Sequence, residues 1–153
     1  MVKDKIVFLR GYYKLESIKA DKLVVVGGIE STKKVIANTI FVRGCIKARY
    51  IESRLFFLVN TSYSSILDIR SSIVRIIRRN GRVSVYSLVA DKAYLEYTHV
   101  RELSVKKAYL SENTFIEYVV FPGELLVFLS PYVVFKIDPT GLFDKIVFKY
   151  NIY

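Results

Sequence analysis

Apolar residues in this chain alternate with polar ones or come in runs of three to five, which is the pattern of extended backbone. Leu23-Val24-Val25-Val26, Thr39-Ile40-Phe41-Val42 and Arg82-Val83-Ser84-Val85-Tyr86 are examples. β-Branched and aromatic residues are dense throughout, and no apolar stripe at helical spacing lasts three turns. The nearest approach is Ser64–Arg79, with Ile66, Leu67, Ile69, Ile73, Val74, Ile76 and Ile77. Its Ser-Ser pairs and β-branched content argue for strands. The pattern predicts an all-β chain.

The strands repeat. When IKADKLVVVGG from Ile18 is laid on VIANTIFVRGC from Val35, Ala20 meets Ala37, Asp21 meets Asn38, Leu23 meets Ile40, Val25 meets Val42 and Gly27 meets Gly44. The offset is 17 residues. LVADKAYLE from Leu88 and LSVKKAYLS from Leu103 match at an offset of 15: Lys92 meets Lys107, Ala93 meets Ala108, and Tyr94-Leu95 meets Tyr109-Leu110. Looser copies start at Ala48, Ile66 and Ile116. This makes roughly six or seven units of about 15–20 residues. A unit that short cannot close a core alone and must stack on its neighbours. The expectation is a single-domain β-solenoid over 15–137, in which each coil adds about 4.8 Å and the rod measures roughly 30–35 Å. Ala20, Ala37 and Ala90 are its tight inward positions. An antiparallel β-sandwich with strands of similar length is the alternative. Residues 1–14 read as a strand-like lead-in, with Ile6, Val7, Phe8 and Leu9 apolar. At the other end Tyr132–Ile137, Asp138-Pro139-Thr140-Gly141 and Leu142–Tyr150 read as strand, type I turn and strand. A C-terminal hairpin over 138–153 that covers or extends the last coil is expected.

The units IKADKLVVVGGIE and VIANTIFVRGCIKA resemble the coils of bactofilins, the β-helical polymer-forming cytoskeletal proteins. LVADKAYLEYTHVRELSVKKAYLSENTFIEYV is similar to the C-terminal coils of proteins of that group. The resemblance spans about Leu15 to Ile137 and rests on residue-type patterns. It implies a right-handed parallel β-helix that assembles end to end, without nucleotide, into non-polar filaments. The chain departs from the family in its low glycine content and its basic charge: it has 7 Gly, and 24 basic against 14 acidic residues give +10.

Composition narrows the function classes. At 52% hydrophobic and 25% charged, the chain is too apolar for a disordered tail, and its charges are too evenly spread for a membrane span. No signal-peptide pattern opens it. Cys45 is the only cysteine, so an internal disulfide and a cysteine-ligated zinc site lack their parts, and a cytoplasmic location is the default. His99 is the only histidine, which removes most His-dependent metal and hydrolytic constellations. Glu96 and Glu102 are near enough to orient its ring, but no nucleophile stands beside it. Asp21 and Asp91 recur at one place in their coils and are expected to accept turn amides. The repeat offsets are not multiples of six, which excludes a hexapeptide acyltransferase, and the rod is too short for a polysaccharide lyase. Abundant Ile, Val, Tyr and Lys beside scarce Gln, Met and Cys is the usage of proteins from hot environments.

The expectation is therefore a non-enzymatic structural protein with no cofactor, metal or small-molecule substrate, whose partner is itself. Solenoid ends leave strand edges and an open core, which pair with another copy unless capped. Phe8 and Leu9 at one end, and Phe143 and Phe148 at the other, are the candidate joint residues. The alternative is a basic binding module. Arg75, Arg78 and Arg79 head a run of cations that would attract nucleic acid or an anionic membrane surface weakly and with salt sensitivity. A viral or envelope subunit is a third reading that sequence does not separate from the first.

Overall fold

A computed structural model describes residues 5–121, 124–135 and 146–149. The first element, β1 (Ile6–Asn60), is one run of 55 residues of paired, extended backbone. Drawn out straight it would reach about 180 Å, so it can find partners only by winding on itself. It does so: the Asp21 N–H donates to the Lys5 carbonyl, and the Asn38 side-chain amide donates to the Asp21 carboxylate. The wound region therefore begins upstream of Leu15. After β1 come β2 (Ser64–Arg78), β3 (Val83–Leu95), β4 (Thr98–Leu110), β5 (Phe115–Phe121), β6 (Leu125–Phe128), β7 (Val134–Phe135) and β8 (Ile146–Phe148).

Every registered pairing is parallel. Lys47 lies beside Ser65, Ser65 beside Ser84, Ser84 beside His99, His99 beside Phe115, and Phe115 beside Val134. The chain is a parallel β-solenoid, and these pairings step through about five turns. The 15-residue alignment is physical: Lys92, Ala93, Tyr94 and Leu95 stand against Lys107, Ala108, Tyr109 and Leu110, and the starts of two looser copies, Ala48 and Ile66, also stand side by side.

The inward positions explain the cross-section. β2 buries Ser64 and Ile66, then Ile69 and Ser71, then Val74 and Ile76; β3 and β4 bury the equivalent three pairs. Within a pair the side chains alternate, as strand geometry requires. Between pairs two successive residues point out, and each such break marks a corner. Each coil thus has three faces around one apolar core. Ala20, Ala37 and Ala90 are all buried.

One corner is built by backbone conformation. Gly11, Gly27 and Gly44 have φ of 109°, 128° and 141°. A Cβ on Gly44 would lie 1.8 Å from the Gly27 carbonyl oxygen, so the coils close here only over glycine. Further along, buried Asn60 takes over: its side-chain amide donates to the Ser62 and Asn80 carbonyls and its carbonyl accepts from the Ser64 hydroxyl. The Ser64 hydroxyl in turn accepts the Ile46 N–H at 2.9 Å, so this polar cluster is satisfied inside the core.

The regular stack loosens after β4. The register slips between Leu103 and Ser104, and the next coil is split into β5, on the first half of β4, and β6, on the second half. β7 and β8 continue the stack in parallel on β5 and β6. The turn Asp138–Gly141 lies outside the described residues. No described helix is long and apolar enough to cross a membrane.

Candidate functional site

The first candidate is the pair of rod ends. In the opening wrap Val7 and Leu9 pack against the core, together with Leu15 and Ile18, yet all four are only half-buried. Ile6 and Phe8 alternate with them and point outward, with Phe8 60% exposed. Alternation thus separates the two expected joint residues: Leu9 belongs to the open core and Phe8 to the lateral surface. β1 stands at one end of the sheet order. At the opposite end Phe148 is 50% exposed and meets Phe128 edge-on at 5.2 Å, while Phe128 stacks on Phe135 at 5.5 Å. Phe143 lies outside the described residues. Sequence reasoning missed Val7, Leu15, Ile18, Phe128 and Phe135. The signal for Phe128 was present, because it continues the inward column of Leu95 and Leu110.

The second candidate is the third face. Its central column is Phe57, Arg75, Tyr94 and Tyr109, outward and in register, and ends on buried Val127. Along its edge run Leu55, Ile73, Lys92, Lys107 and Leu125. Neither column contains an acid. The Arg75 guanidinium sits 5.3 Å from the Phe57 ring centre and 5.4 Å from that of Tyr94, and Phe57 in turn meets Phe41 at 5.3 Å. These cation–π contacts hold the arginine in place and leave its N–H edges available. At the far corner the Arg78 guanidinium lies over Tyr97 at 3.9 Å, and its Nε donates to the Gly81 carbonyl at 3.1 Å. Arg79 follows, exposed, with its backbone N–H donating to the Asn60 carbonyl. Arg75 thus stands on the third face with Lys92 and Lys107 along its edge, while Arg78 and Arg79 belong to its far corner.

Exposed Glu124 adjoins Leu125 at the edge of this face, and the other acids near it lie elsewhere or are occupied. Asp68 and Glu102 share a column with Tyr50, Ser87 and Tyr118 at the corner between the first two faces, and Glu52 is on the second face. Asp91, at the edge of the third face, faces Lys106 at 3.7 Å. Glu96 accepts the Arg78 backbone N–H at 3.1 Å and the Tyr94 hydroxyl at 3.2 Å. Burial, then the negative charge of Glu96, pushes the Tyr94 phenol above its ordinary value.

The remaining singled-out residues form no reactive constellation. His99 Nε2 is 2.8 Å from Glu117 Oε2, and its ring stands edge-on to Phe115 at 4.9 Å. The partner is thus Glu117, one coil further on, and not Glu96 or Glu102; stacking outranks sequence proximity. Asp21 and Asp91 meet side chains, Asn38 and Lys106, where turn amides were expected. Cys45 is half-buried beside Gly28. Among the described residues no group of His, Cys, Asp and Glu has the makings of a metal site. Comparison with protein-family models, with curated proteins and with solved structures finds no match to the chain.

Proposed function

We propose that this protein is a non-enzymatic structural subunit that joins end to end into nucleotide-independent, cytoskeleton-like filaments in the cytoplasm. One observation supports the reading: among the described residues the apolar core columns run on to both ends of the stack, through half-buried Val7, Leu9, Leu15 and Ile18 on one side and half-buried Phe135 on the other. A second copy offers the matching apolar columns and strand edges. The resemblance to bactofilins points the same way. With the wraps inside β1 counted, the unit is taken as a right-handed rod of six to seven coils, closed by a turn and strand over 138–153. Negative-stain microscopy of the purified protein at physiological salt tests the reading. Elongated polymers are expected, and discrete particles at every concentration would remove it.

A second reading is favoured by the acid-free columns of the third face. In it the rod is a basic binding module that contacts nucleic acid or an anionic membrane surface without polymerising. Cations gathered on one side give a salt-sensitive attraction to phosphates that dispersed cations do not. Retention that falls steeply with added salt supports it.

A further inference from the structure

We infer that the third face docks flat on an anionic lipid bilayer. The inference rests on the basic-face reading and is independent of end joining, because the face lies along the rod and leaves both ends free. Three features select lipid over nucleic acid. The edge column mixes cations with aliphatics: Lys92 and Lys107 stand in line with Leu55 and with Ile73, which is 45% exposed. Headgroup phosphates satisfy the lysines while the boundary below them takes up the isoleucine, an environment that a solvated sugar–phosphate chain does not offer. The Phe57 and Tyr94 rings of the central column are not open platforms for bases, since Arg75 lies between them and Phe57 leans on Phe41. The surface is also a sheet face built from successive strands, which presents its cations to a plane together and not to a groove one at a time. Each rod holds the surface weakly. Rods joined in a row would hold it far more strongly, through the high effective concentration of the second contact.

The test is co-sedimentation of the full chain with phosphatidylcholine vesicles, with and without phosphatidylserine, beside retention of a single-stranded oligonucleotide. Retention on the phosphatidylserine vesicles alone is expected, and it should fall as salt rises. Lys92→Glu with Lys107→Glu should weaken it by at least about tenfold. Lys33→Glu with Lys34→Glu makes the same change in net charge on another part of the surface and should leave most of it. Ile73→Ser keeps every charge and should weaken vesicle retention by about three- to tenfold, with no effect on the oligonucleotide. Circular dichroism melts establish that each variant is folded. Oligonucleotide binding without vesicle binding, or full vesicle retention by Ile73→Ser, overturns the lipid assignment and leaves the basic-face reading standing. Equal losses in the two lysine pairs reduce the effect to net charge and overturn it too. No retention on either probe at low salt overturns both readings.

Discussion

Single residues in this fold are constrained by the coil above and the coil below. Gly44 is the sharpest case: its φ of 141° and the Gly27 carbonyl beneath it exclude a Cβ. Gly44→Ala should lower stability by about 1–3 kcal/mol or more, read as a shift in the denaturant midpoint. Ala37 and Ala90 are buried, at 4% and 8% exposure, so Phe at either position overpacks the core. A loss of about 1–3 kcal/mol is expected for each, and unchanged melting of both variants would contradict the packing described. Tyr94 gives a pH signature. Burial and Glu96 favour its neutral form in the folded state, so its pKa is raised there. The stability it contributes is intact below the unfolded value of about 10 and is lost as pH rises through the folded one. Urea midpoints should drop as the pH is raised above about 10 in the parent, and drop less in Tyr94→Phe.

At the scale of elements, what was legible in the sequence follows from what a coil repeats. The inward columns repeat side-chain type, so laying Leu88 on Leu103 found true neighbours. Ser64–Arg79 read as extended backbone despite its dense isoleucines, and it forms β2. The corner was less legible. Gly11, Gly27, Gly44 and Gly81 give way to Tyr97 and Asn113, with φ of 48° and 52°, and no residue-type match reveals that a tyrosine there does a glycine's work. The Arg78 guanidinium over its ring and the Glu112 carboxylate at its hydroxyl hold it. Face composition was also hidden, because outward residues of all three faces interleave along the chain; Glu117 beside His99 is an example. The elements also differ in how far they pair. β2, β3 and β4 pair along nearly their whole length, while β5 and β6 share one coil and β7 pairs through two residues. Nearest-neighbour stacking then predicts a gradient. Amides of β3 should exchange slowest and those of β7 and β8 fastest, by hydrogen-exchange mass spectrometry; uniform protection would mean that the interrupted coils are not the weak ones.

For the whole molecule the decisive question is whether the ends of the stack join other copies. Alternation makes a prediction that composition alone does not. Leu9 is on the core side of the first wrap and Phe8 is on the lateral side, so a joint that continues the core buries Leu9. An apolar side chain fully covered there contributes about 1.5–3 kcal/mol, and an aspartate in its place leaves an unpaired charge in an apolar contact. Leu9→Asp should therefore stop growth at that end, Phe8→Asp should impair it less, and Phe148→Asp should block the opposite end. The products distinguish the kind of filament. If like ends join, the two joints are different, and blocking one leaves dimers held by the other. If unlike ends join, every joint uses both surfaces, and either variant alone falls to monomers. Multi-angle light scattering of folded variants reads the difference directly. A parent that stays monomeric at high concentration, or Leu9→Asp and Phe148→Asp variants that both still elongate, would show that the open core is not the joint.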